Sequence, residues 1–282
     1  MYPKRLFLFA GYNQKNLVDD ALVYYVKELA TCGDIVLVMD CDCPQSELNK
    51  ISHIPLHTLA SRHGEYDFGS YKHAYIWAKE NLNLNEYDYI YLVNDSVYGP
   101  MFPIQQYLEQ MESLPDAAFG IVGNPHKHHP HIQSWFIGIR PCVFTTAWFD
   151  EFMCTITRLK DKGTITRKYE QGFSKMIIDN GQTWSCLYTV ARRGVYNLVK
   201  KLYIKKMPFM KRVAFTRTHG ALGGQISYVL AQLSPELRNA ILTSTTALYG
   251  EKYIKWLLTR NPLRIMIRNI HHAIFKLSSG RI

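Results

Sequence analysis

The stretch Tyr-Asp-Tyr-Ile-Tyr-Leu-Val-Asn-Asp-Ser-Val-Tyr-Gly-Pro, residues 87–100, decides the fold class of this chain. The apolar run from Tyr89 to Val93 predicts a buried strand, and Asn94, Asp95 and Ser96 end it abruptly. Continuous apolar runs are typical of core strands in parallel α/β sheets. Because ligands of open α/β sheets bind at the carboxyl ends of the strands, we expect Asp95 to face a ligand crevice.

The position of Asp95 admits two interpretations. A carboxylate at a strand end can bind a hard divalent cation, and that cation can in turn bind a diphosphate. Short polar side chains at strand ends also commonly stabilise the turn that follows, and Gly99-Pro100 predicts a turn here. The segment alone leaves both interpretations open.

The residues before this segment alternate between strand and helix patterns. Arg5–Ala10 and Ile35–Met39 are short apolar runs, and Leu17–Leu29 between them has the spacing of an amphipathic helix. This order predicts a right-handed βαβ unit with parallel strands. The rest of the chain predicts strands over 54–59, 119–122, 133–140 and 183–188, helices over 71–81, 141–152 and 169–179, and a loop over 123–131.

The predicted fold class is therefore α/β, with a Rossmann-type, mostly parallel sheet flanked by helices and a basic helical C-terminal appendage. We place the main α/β domain at residues 1–225 and the basic helical tail at 226–282. The content of 47% hydrophobic and 13% aromatic residues excludes a disordered chain. No apolar stretch reaches the roughly 18 residues of a transmembrane helix. The first residues lack a signal-peptide pattern, and the six cysteines are expected to be free thiols, so we expect a cytoplasmic protein.

The positive charge of the chain is concentrated in its last third. Residues 191–282 contain 17 Lys and Arg against 2 Asp and Glu, a surplus of 15 within a net charge of +10. The clearest helix pattern there, 251–277, has Pro262 where the helix should kink or restart. One face carries Arg260, Arg264, Arg268 and Lys276, and the opposite face carries Leu263, Met266, Ile267, Ile270, Ile274 and Leu277. Such a helix suits an anionic membrane surface, or it docks on the main domain with a solvated charged face.

Placing the predicted strand ends side by side gives a candidate nucleotide site. Gly11 and Tyr12 follow the first strand, and Asp40 or Asp42 follows the second. Asp67 and Gly69 precede the predicted helix 71–81, whose N-terminus could bind a phosphate; the alternative is that Asp67 or Ser70 is an ordinary helix cap. The residues predicted to bind the nucleotide are Gly11, Tyr12, Asp40, Asp67, Gly69, Lys72, Asn94, Ser96 and Lys211. Lys211 could neutralise a diphosphate or belong to the basic surface.

Further candidates come from later segments. The loop with His126, His128, His129 and His131 has weak metal-ligand spacing, and an acceptor-facing role for His129, His131 and Gln133 is favoured. Glu170, at the predicted start of a helix, could deprotonate an acceptor hydroxyl or stabilise the helix dipole. His219 is a candidate, beside Asp95, for completing a metal site, and its alternative is a packed histidine.

Two motifs carry a resemblance to a known family. They are Tyr-Asp-Phe-Gly-Ser-Tyr-Lys-His-Ala at 66–74 and the strand-to-turn segment at 89–100. Together with segments at 131–136, 140–144 and 169–174, they resemble the rhamnan synthesis protein F family of bacterial glycosyltransferases. The resemblance implies a GT-A-like fold that transfers a sugar from a nucleotide donor during cell-surface polysaccharide assembly. It also makes Asp95 the remnant of the Asp-x-Asp motif, with Asn94 and Ser96 departing from the pattern, which leaves dependence on Mn²⁺ or Mg²⁺ open.

The sequence thus predicts a glycosyltransferase, with Asp95 and Glu170 as catalytic residues and rhamnose as the first donor sugar to test. Its predicted partners are a nucleotide-sugar donor, a glycan acceptor on a polyprenyl diphosphate and the inner face of the bacterial plasma membrane. A noncatalytic scaffold of a polysaccharide assembly complex is the main alternative. A nucleic-acid-binding protein is disfavoured, because the basic residues accompany no nucleic-acid-binding motif.

Overall fold

The computed structural model describes residues 3–191, 193–216, 222–259, 261–267 and 270. The chain folds into two compact units. The first unit comprises residues 1–18, 25–95 and 103–192, and the second comprises 19–24, 96–102 and 193–282. The boundary predicted at 225/226 falls inside the second unit, because Val199 and Phe215 share a hydrophobic cluster with Ile226.

The strands are short, as expected for an α/β chain. In chain order they are β1 (Arg5–Gly11), β2 (Asp34–Met39), β3 (His57–Ala60), β4 (Tyr89–Asn94), β5 (Val97–Tyr98), β6 (Ala118–Asn124), β7 (His131–Ile132), β8 (Phe136–Ile139), β9 (Trp184–Thr189) and β10 (Met210–Lys211).

Helices lie between most of these strands. They are α1 (Asp20–Ala30), α2 (Gln45–Leu48), α3 (Tyr66–Asn81), α4 (Gln105–Glu112), α5 (Pro141–Phe144), α6 (Ala147–Cys154), α7 (Lys162–Ile165), α8 (Gly172–Asp179), α9 (Gly194–Asn197), α10 (Val199–Ile204), α11 (Leu222–Leu230), α12 (Pro235–Tyr249) and α13 (Glu251–Leu257).

The first unit is built on one mixed, mostly parallel sheet. Its strand order is β3-β2-β1-β4-β8-β6-β7, and β9 pairs with β6. β1 is parallel to both β2 and β4, as the predicted βαβ unit requires, whereas β8 runs antiparallel to its neighbours β4 and β6. β1 is buried along its whole length and β4 from Ile90 onward, which explains their uninterrupted apolar sequences. The predicted α/β fold class, with a mostly parallel sheet flanked by helices, is confirmed.

Several predicted segments differ in detail from the structure, and three of the differences affect candidate residues or their neighbours. The predicted helix 141–152 is two helices, α5 and α6, because the hydroxyl of Thr146 accepts a hydrogen bond from the N–H of Phe149 and caps a new helix. Gln133 lies between β7 and β8 and is not on a strand. Helix α3 begins at Tyr66 rather than at residue 71, with Glu65 as its N-cap residue.

The second unit has its own small ladder and hydrophobic cluster. β5 pairs antiparallel with β10, with Lys211 opposite Val97. The ring of Tyr98 packs edge-on against Phe215, with centroids 5.4 Å apart. The guanidinium of Arg212 lies 5.0 Å from the centre of the Tyr98 ring and forms an ion pair with Asp19 at 3.0 Å.

The C-terminal helix pattern is interrupted where the sequence predicts. α13 ends at Leu257, and helix resumes over residues 262–267, so the predicted restart at Pro262 is confirmed. Leu263, Met266, Ile267 and Ile270 are exposed. Arg260, Arg268, Ile274, Lys276 and Leu277 lie outside the described residues. None of the described helices combines the length and the apolar character needed to cross a membrane.

Candidate functional site

The carboxyl ends of β1, β2 and β4 meet at one edge of the sheet. In the parallel register Ala10 lies opposite Asn94, and Gly11 lies opposite Met39. Just beyond the strands, the N–H of Asp95 donates to the carbonyl of Ala10 at 3.1 Å, and the N–H of Asp40 donates to the carbonyl of Gly11 at 2.9 Å. The end of β1 therefore holds two carboxylate-bearing residues, one on each side.

Asp95 is buried at this edge, with 7% of its surface exposed. Its Oδ2 accepts a hydrogen bond from the backbone N–H of Tyr12 at 3.2 Å. A buried carboxylate needs such donors, because removing the charge from water without them is costly. Asp95 thus stabilises the turn after β1, which is a different turn from the one after β4 that the sequence offered as its alternative role. Burial, and then the charge of Asp95, raises the pKa of Tyr25 well above its usual value.

Asp67 joins this edge through Asn94. The side-chain Nδ2 of Asn94 donates to Oδ2 of Asp67 at 3.0 Å. Because α3 begins at Tyr66, Asp67 lies in its first turn, where an acidic side chain is favoured by the helix dipole. The interpretation of Asp67 or Ser70 as the helix cap is wrong, since Glu65 holds that position.

Tyr71 belongs to the same network, although the sequence assigns it no role. Its hydroxyl donates to the carbonyl of Ser134 at 2.8 Å. Burial, followed by the charge of Asp67, raises the pKa of Tyr71 well above its usual value. The sequence spacing could have predicted that Tyr71 lies near Asp67, because residues 67 and 71 are one helical turn apart and share a face of α3.

Glu170 accepts hydrogen bonds from Ser134, in the short segment 133–135 between β7 and β8 (the Ser134 segment). Its Oε1 accepts hydrogen bonds from the N–H of Ser134 at 2.9 Å and from its hydroxyl at 3.2 Å. The helical segment here begins at Lys162 and includes a π-helical stretch, Thr166–Gln171, so Glu170 is not at the helix start. The first-turn interpretation of Glu170 is therefore wrong. Wide helical turns of this kind are frequent at functional sites.

The remaining predicted donor residues of the first unit lie near the start of α3. Gly69 is buried in its first turn, where a Cβ would come within 2.2 Å of the Glu65 Cβ, so only glycine fits without a shift. Lys72 is half-buried; its Nζ lies 2.6 Å from Glu65 Oε2 and donates to the carbonyl of Ile156 at 2.9 Å. Asp40 is buried, and its Oδ1 accepts from the N–H of Gly64 at 2.8 Å.

The three residues predicted to bind the acceptor differ in their solvent exposure. His129 is exposed, and its carbonyl oxygen lies 2.7 Å from Nδ1 of His131. His131 and Gln133 are buried, and Oε1 of Gln133 accepts from the indole N–H of Trp135 at 2.8 Å. His129 alone of the three is therefore exposed enough to meet a large acceptor directly.

Ser96 and Lys211 lie in the second unit. Nζ of Lys211 donates to the hydroxyl of Ser96 at 2.8 Å, and the N–H of Arg212 donates to the Ser96 carbonyl at 2.9 Å. The β5–β10 ladder fixes this pairing, because Lys211 lies opposite Val97, next to Ser96. His219, predicted with Asp95 as a metal ligand, lies outside the described residues.

The chain matches one protein family over most of its length. Residues 35–257 match the family described as RgpF, rhamnan synthesis protein F. The chain belongs to the rhamnan synthesis protein F family. The resemblance based on residues 66–74 and 89–100 is thereby confirmed. No curated protein sequence matches the chain.

Several solved structures resemble the chain at low identity. The mannosyltransferase Ktr4p from S. cerevisiae is 8% identical with a TM-score of 0.34, and the match covers 53% of this chain and 59% of that one. TarS from S. aureus, residues 1–349, is 9% identical with a TM-score of 0.36, covering 90% of both chains. Core-mannan synthase A from Aspergillus fumigatus is 10% identical with a TM-score of 0.35, covering 64% of this chain and 72% of that one. The chain thus spans about three fifths of the yeast structure it matches.

Asn94 and Ser96 are the positions at which the sequence departs from the Asp-x-Asp pattern that the resemblance implies, and the structure gives Asn94 a definite partner. An aspartate at 94 would put a second carboxylate against Asp67 Oδ2, 3.0 Å from the present amide nitrogen. Two carboxylates at that distance repel each other unless one is protonated or a cation lies between them. Asn94 removes that repulsion and keeps Asp67 in place.

Proposed function

We propose that the chain transfers a sugar from a nucleotide-diphosphate donor to a lipid-linked glycan during assembly of a bacterial cell-surface polysaccharide. Rhamnose is the first sugar to test, on the name of the family. The observation that carries the proposal is the meeting of Asp40, Asp67 and Asp95 at the carboxyl edge of β1, β2 and β4. This is the edge at which open α/β sheets bind nucleotides.

In this proposal the donor lies along that edge, across Gly11, Asp40, Asp67 and Asp95. The backbone turn at Gly11 and Tyr12 would follow the phosphates, and the carboxylates of Asp40 and Asp67 would accept hydrogen bonds from nucleoside hydroxyl or amide groups. Because the N–H of Tyr12 donates a hydrogen bond to Oδ2 of Asp95, both groups are already ordered before a donor binds. Such pre-organisation reduces the entropy lost on binding.

A Mn²⁺ or Mg²⁺ ion fits this proposal with Asp95 as its carboxylate ligand. These ions are commonly held by one or two carboxylates and complete their coordination with water and substrate phosphates. When bound, the ion would neutralise charge on the leaving diphosphate. With one acid at the strand end, basic residues could instead bind the diphosphate, so dependence on the ion is a question for experiment.

Glu170 is proposed as the general base if the anomeric configuration is inverted. Its carboxylate would then accept the proton of the acceptor hydroxyl as that oxygen attacks the sugar carbon. If the configuration is retained, the same carboxylate would position the acceptor. The two hydrogen bonds from Ser134 support either role, because they fix the orientation of the carboxylate. The acceptor would approach over the exposed His129, with the buried His131 and Gln133 supporting that loop from beneath.

Contact with the inner face of the plasma membrane is proposed through the C-terminal helix. Leu263, Met266 and Ile267 are more than two fifths exposed and lie on one short helical stretch with Arg264. Apolar side chains of this kind insert at the headgroup boundary while basic ones bind anionic lipids. The full-length variant Leu263→Asp/Met266→Asp/Ile267→Asp should lose sedimentation with anionic vesicles and remain folded. Unchanged sedimentation would reject the contact.

The test of donor binding is a thermal-shift screen of the full chain against nucleotide sugars. A ligand that binds the native state raises the unfolding temperature, and we expect this for one class of nucleotide sugar, with and without Mn²⁺ or Mg²⁺. The matching nucleoside diphosphate is the control for recognition of the nucleotide alone. Absence of a shift with every nucleotide sugar, with either ion, would reject the proposed activity.

A noncatalytic scaffold is the second candidate, and the burial of Asp95 is the observation that favours it. A scaffold would show no donor binding and no donor hydrolysis while still binding its assembly partners. The same screen therefore separates the two functions.

A further inference from the structure

Three side chains with metal-binding atoms lie together near the start of α3, in the first unit. His63 and Glu65 precede the helix, and His73 lies on its second turn. Nε2 of His73 lies 3.2 Å from Oε2 of Glu65, and Nδ1 of His63 lies 4.0 Å from the same oxygen. In the part of the chain that the structure describes, this is the one such group of three, and its ligand atoms all lie within 4.8 Å of one another.

Two of these atoms lack the hydrogen bonds that buried polar atoms normally make. Oε2 of Glu65 and Nε2 of His73 are buried, and neither makes a hydrogen bond of acceptable geometry. The ammonium of Lys72, 2.6 Å from Oε2, forms an ion pair with it outside hydrogen-bond geometry. Buried polar atoms without hydrogen bonds are uncommon in native proteins, and a bound ion can supply the interaction that such atoms lack.

His63 is already oriented as a metal ligand would be. Its Nδ1 accepts a hydrogen bond from the N–H of Glu65 at 3.1 Å, so the neutral ring carries its proton on Nε2. That nitrogen lies 3.0 Å from the hydroxyl of Ser70, which can accept the proton. Metal-binding histidines typically donate their other ring N–H in this way. The one lone pair of Nδ1 is used in the hydrogen bond from the Glu65 N–H, so a metal ion bound there would displace that hydrogen bond. Oδ1 of Asp40 lies 3.8 Å from the same nitrogen.

We propose that His63 Nδ1, Glu65 Oε2 and His73 Nε2 bind a divalent transition-metal ion, with Zn²⁺ as the probe. Two imidazoles and one carboxylate are a ligand set that Zn²⁺ accepts, and a water molecule would complete four-fold coordination. Imidazole ligands favour such ions over Mg²⁺, which prefers oxygen. The ion would replace the Glu65 N–H at His63 Nδ1, bind the two buried atoms that lack hydrogen bonds, and join the segment before α3 to the helix itself. Binding of Zn²⁺ at this site requires no nucleotide sugar, so its test is independent of the test of the proposed function.

Lys72 provides a sharp test of this site, because its ammonium already neutralises the ligand carboxylate. A second cation on the same oxygen must overcome repulsion from that ammonium, which the carbonyl of Ile156 holds nearby. Removing the positive charge in Lys72→Gln should therefore tighten Zn²⁺ binding by about tenfold or more. A cluster that exists only as an ion pair would show no such gain.

The experiment measures Zn²⁺ affinity of the full chain by competition with a chromophoric chelator. Wild type should bind one equivalent, and His73→Ala should weaken binding by about 100-fold, because one ligand of three is lost. His73 suits the test because its side chain is one-third exposed, at 34%, and alanine favours the helix. Circular dichroism confirms that each variant is folded.

Two controls distinguish this site from other metal-binding groups of the chain. The variant His126→Ala/His128→Ala/His129→Ala removes the exposed loop histidines and should keep the wild-type affinity. Co²⁺ in place of Zn²⁺ should give visible bands without the near-ultraviolet thiolate band that Cys41 and Cys43 would produce. Loss of binding in the loop variant, a thiolate band, or unchanged affinity in His73→Ala would each overturn the proposal.

Discussion

The Nδ2 atom of Asn94 lies 3.0 Å from Oδ2 of Asp67 and donates a hydrogen bond to it. This contact joins the end of the central strand β4 to the first turn of α3. It also explains why the strand-end motif can contain Asn at position 94, since the amide binds a carboxylate that a second aspartate would repel. The contact brings the two motifs that carry the family resemblance together at one edge of the sheet.

Asp67→Ala should lower the free energy of unfolding by about 1–3 kcal/mol, because it removes a charged acceptor from the buried amide of Asn94. Asp67→Asn should lose less, since its amide oxygen can still accept from Asn94. Urea denaturation of both variants measures the difference. Equal losses in the two variants would show that the hydrogen bond to Asn94 does not stabilise the fold.

Gly69→Ala should lower stability by about 1–3 kcal/mol, because the new Cβ would meet the Cβ of Glu65 at 2.2 Å. The matched control is Gly224→Ala in α11, where nothing lies within 4 Å of the new Cβ. That variant should be unchanged or up to about 1 kcal/mol more stable, since alanine favours helix over glycine. Thermal unfolding checks both. A Gly69→Ala protein as stable as its control would contradict the packing at the start of α3.

Glu170→Gln should reduce sugar transfer by about 100-fold or more if Glu170 is the general base, while the affinity for the donor stays unchanged. The amide oxygen of Gln can still accept from the N–H and hydroxyl of Ser134, so the local structure is kept. The measurement is kcat against KM with the donor varied. A wild-type kcat in this variant would show that Glu170 is not the general base and only accepts hydrogen bonds from Ser134.

The cysteines should differ in their rates of alkylation by iodoacetamide in the native protein at pH 8. Cys142 and Cys154 are exposed and should react first. Burial raises the pKa of Cys186 to about 12, and burial likewise raises that of Cys43 to about 12, so few thiolates form at either site. Mass spectrometry of partly alkylated protein gives the order. Early modification of Cys186 would contradict its place beside β6.

Much of the fold was predictable from hydrophobic runs. The strands at 5–10, 35–39 and 89–93 are continuous apolar segments, and each emerged within one residue or so of its predicted bounds. Helix starts were less predictable, because α3 begins five residues before its apolar pattern does. Glu65, Tyr66 and Asp67 carry no helical hydrophobic period, and the contact that fixes this first turn, from Asn94 to Asp67, comes from a strand 27 residues later in the chain.

The site was predictable only in part for the same reason. The end of a strand can be recognised in the sequence, so Asp40 and Asp95 could be placed beside β1 in advance. The hydrogen-bond partners of side chains that lie far apart in the sequence could not be predicted in this way. Nothing in the order of residues 134 and 170 indicates that Glu170 accepts hydrogen bonds from Ser134. That contact depends on how the π-helical stretch Thr166–Gln171 lies against the segment between β7 and β8.

We propose that the edge of the sheet formed by the carboxyl ends of β1, β2 and β4, around Asp95, binds the diphosphate of a nucleotide sugar. The most direct test measures sugar transfer and donor affinity in Asp95→Asn, whose amide oxygen can still accept from Tyr12 N–H. Asp179→Asn, an exposed change on α8, is the matched control. We predict that Asp95→Asn loses transfer and binds the donor at least tenfold more weakly while unfolding at the temperature of the control. Wild-type transfer and affinity in folded Asp95→Asn would contradict the account.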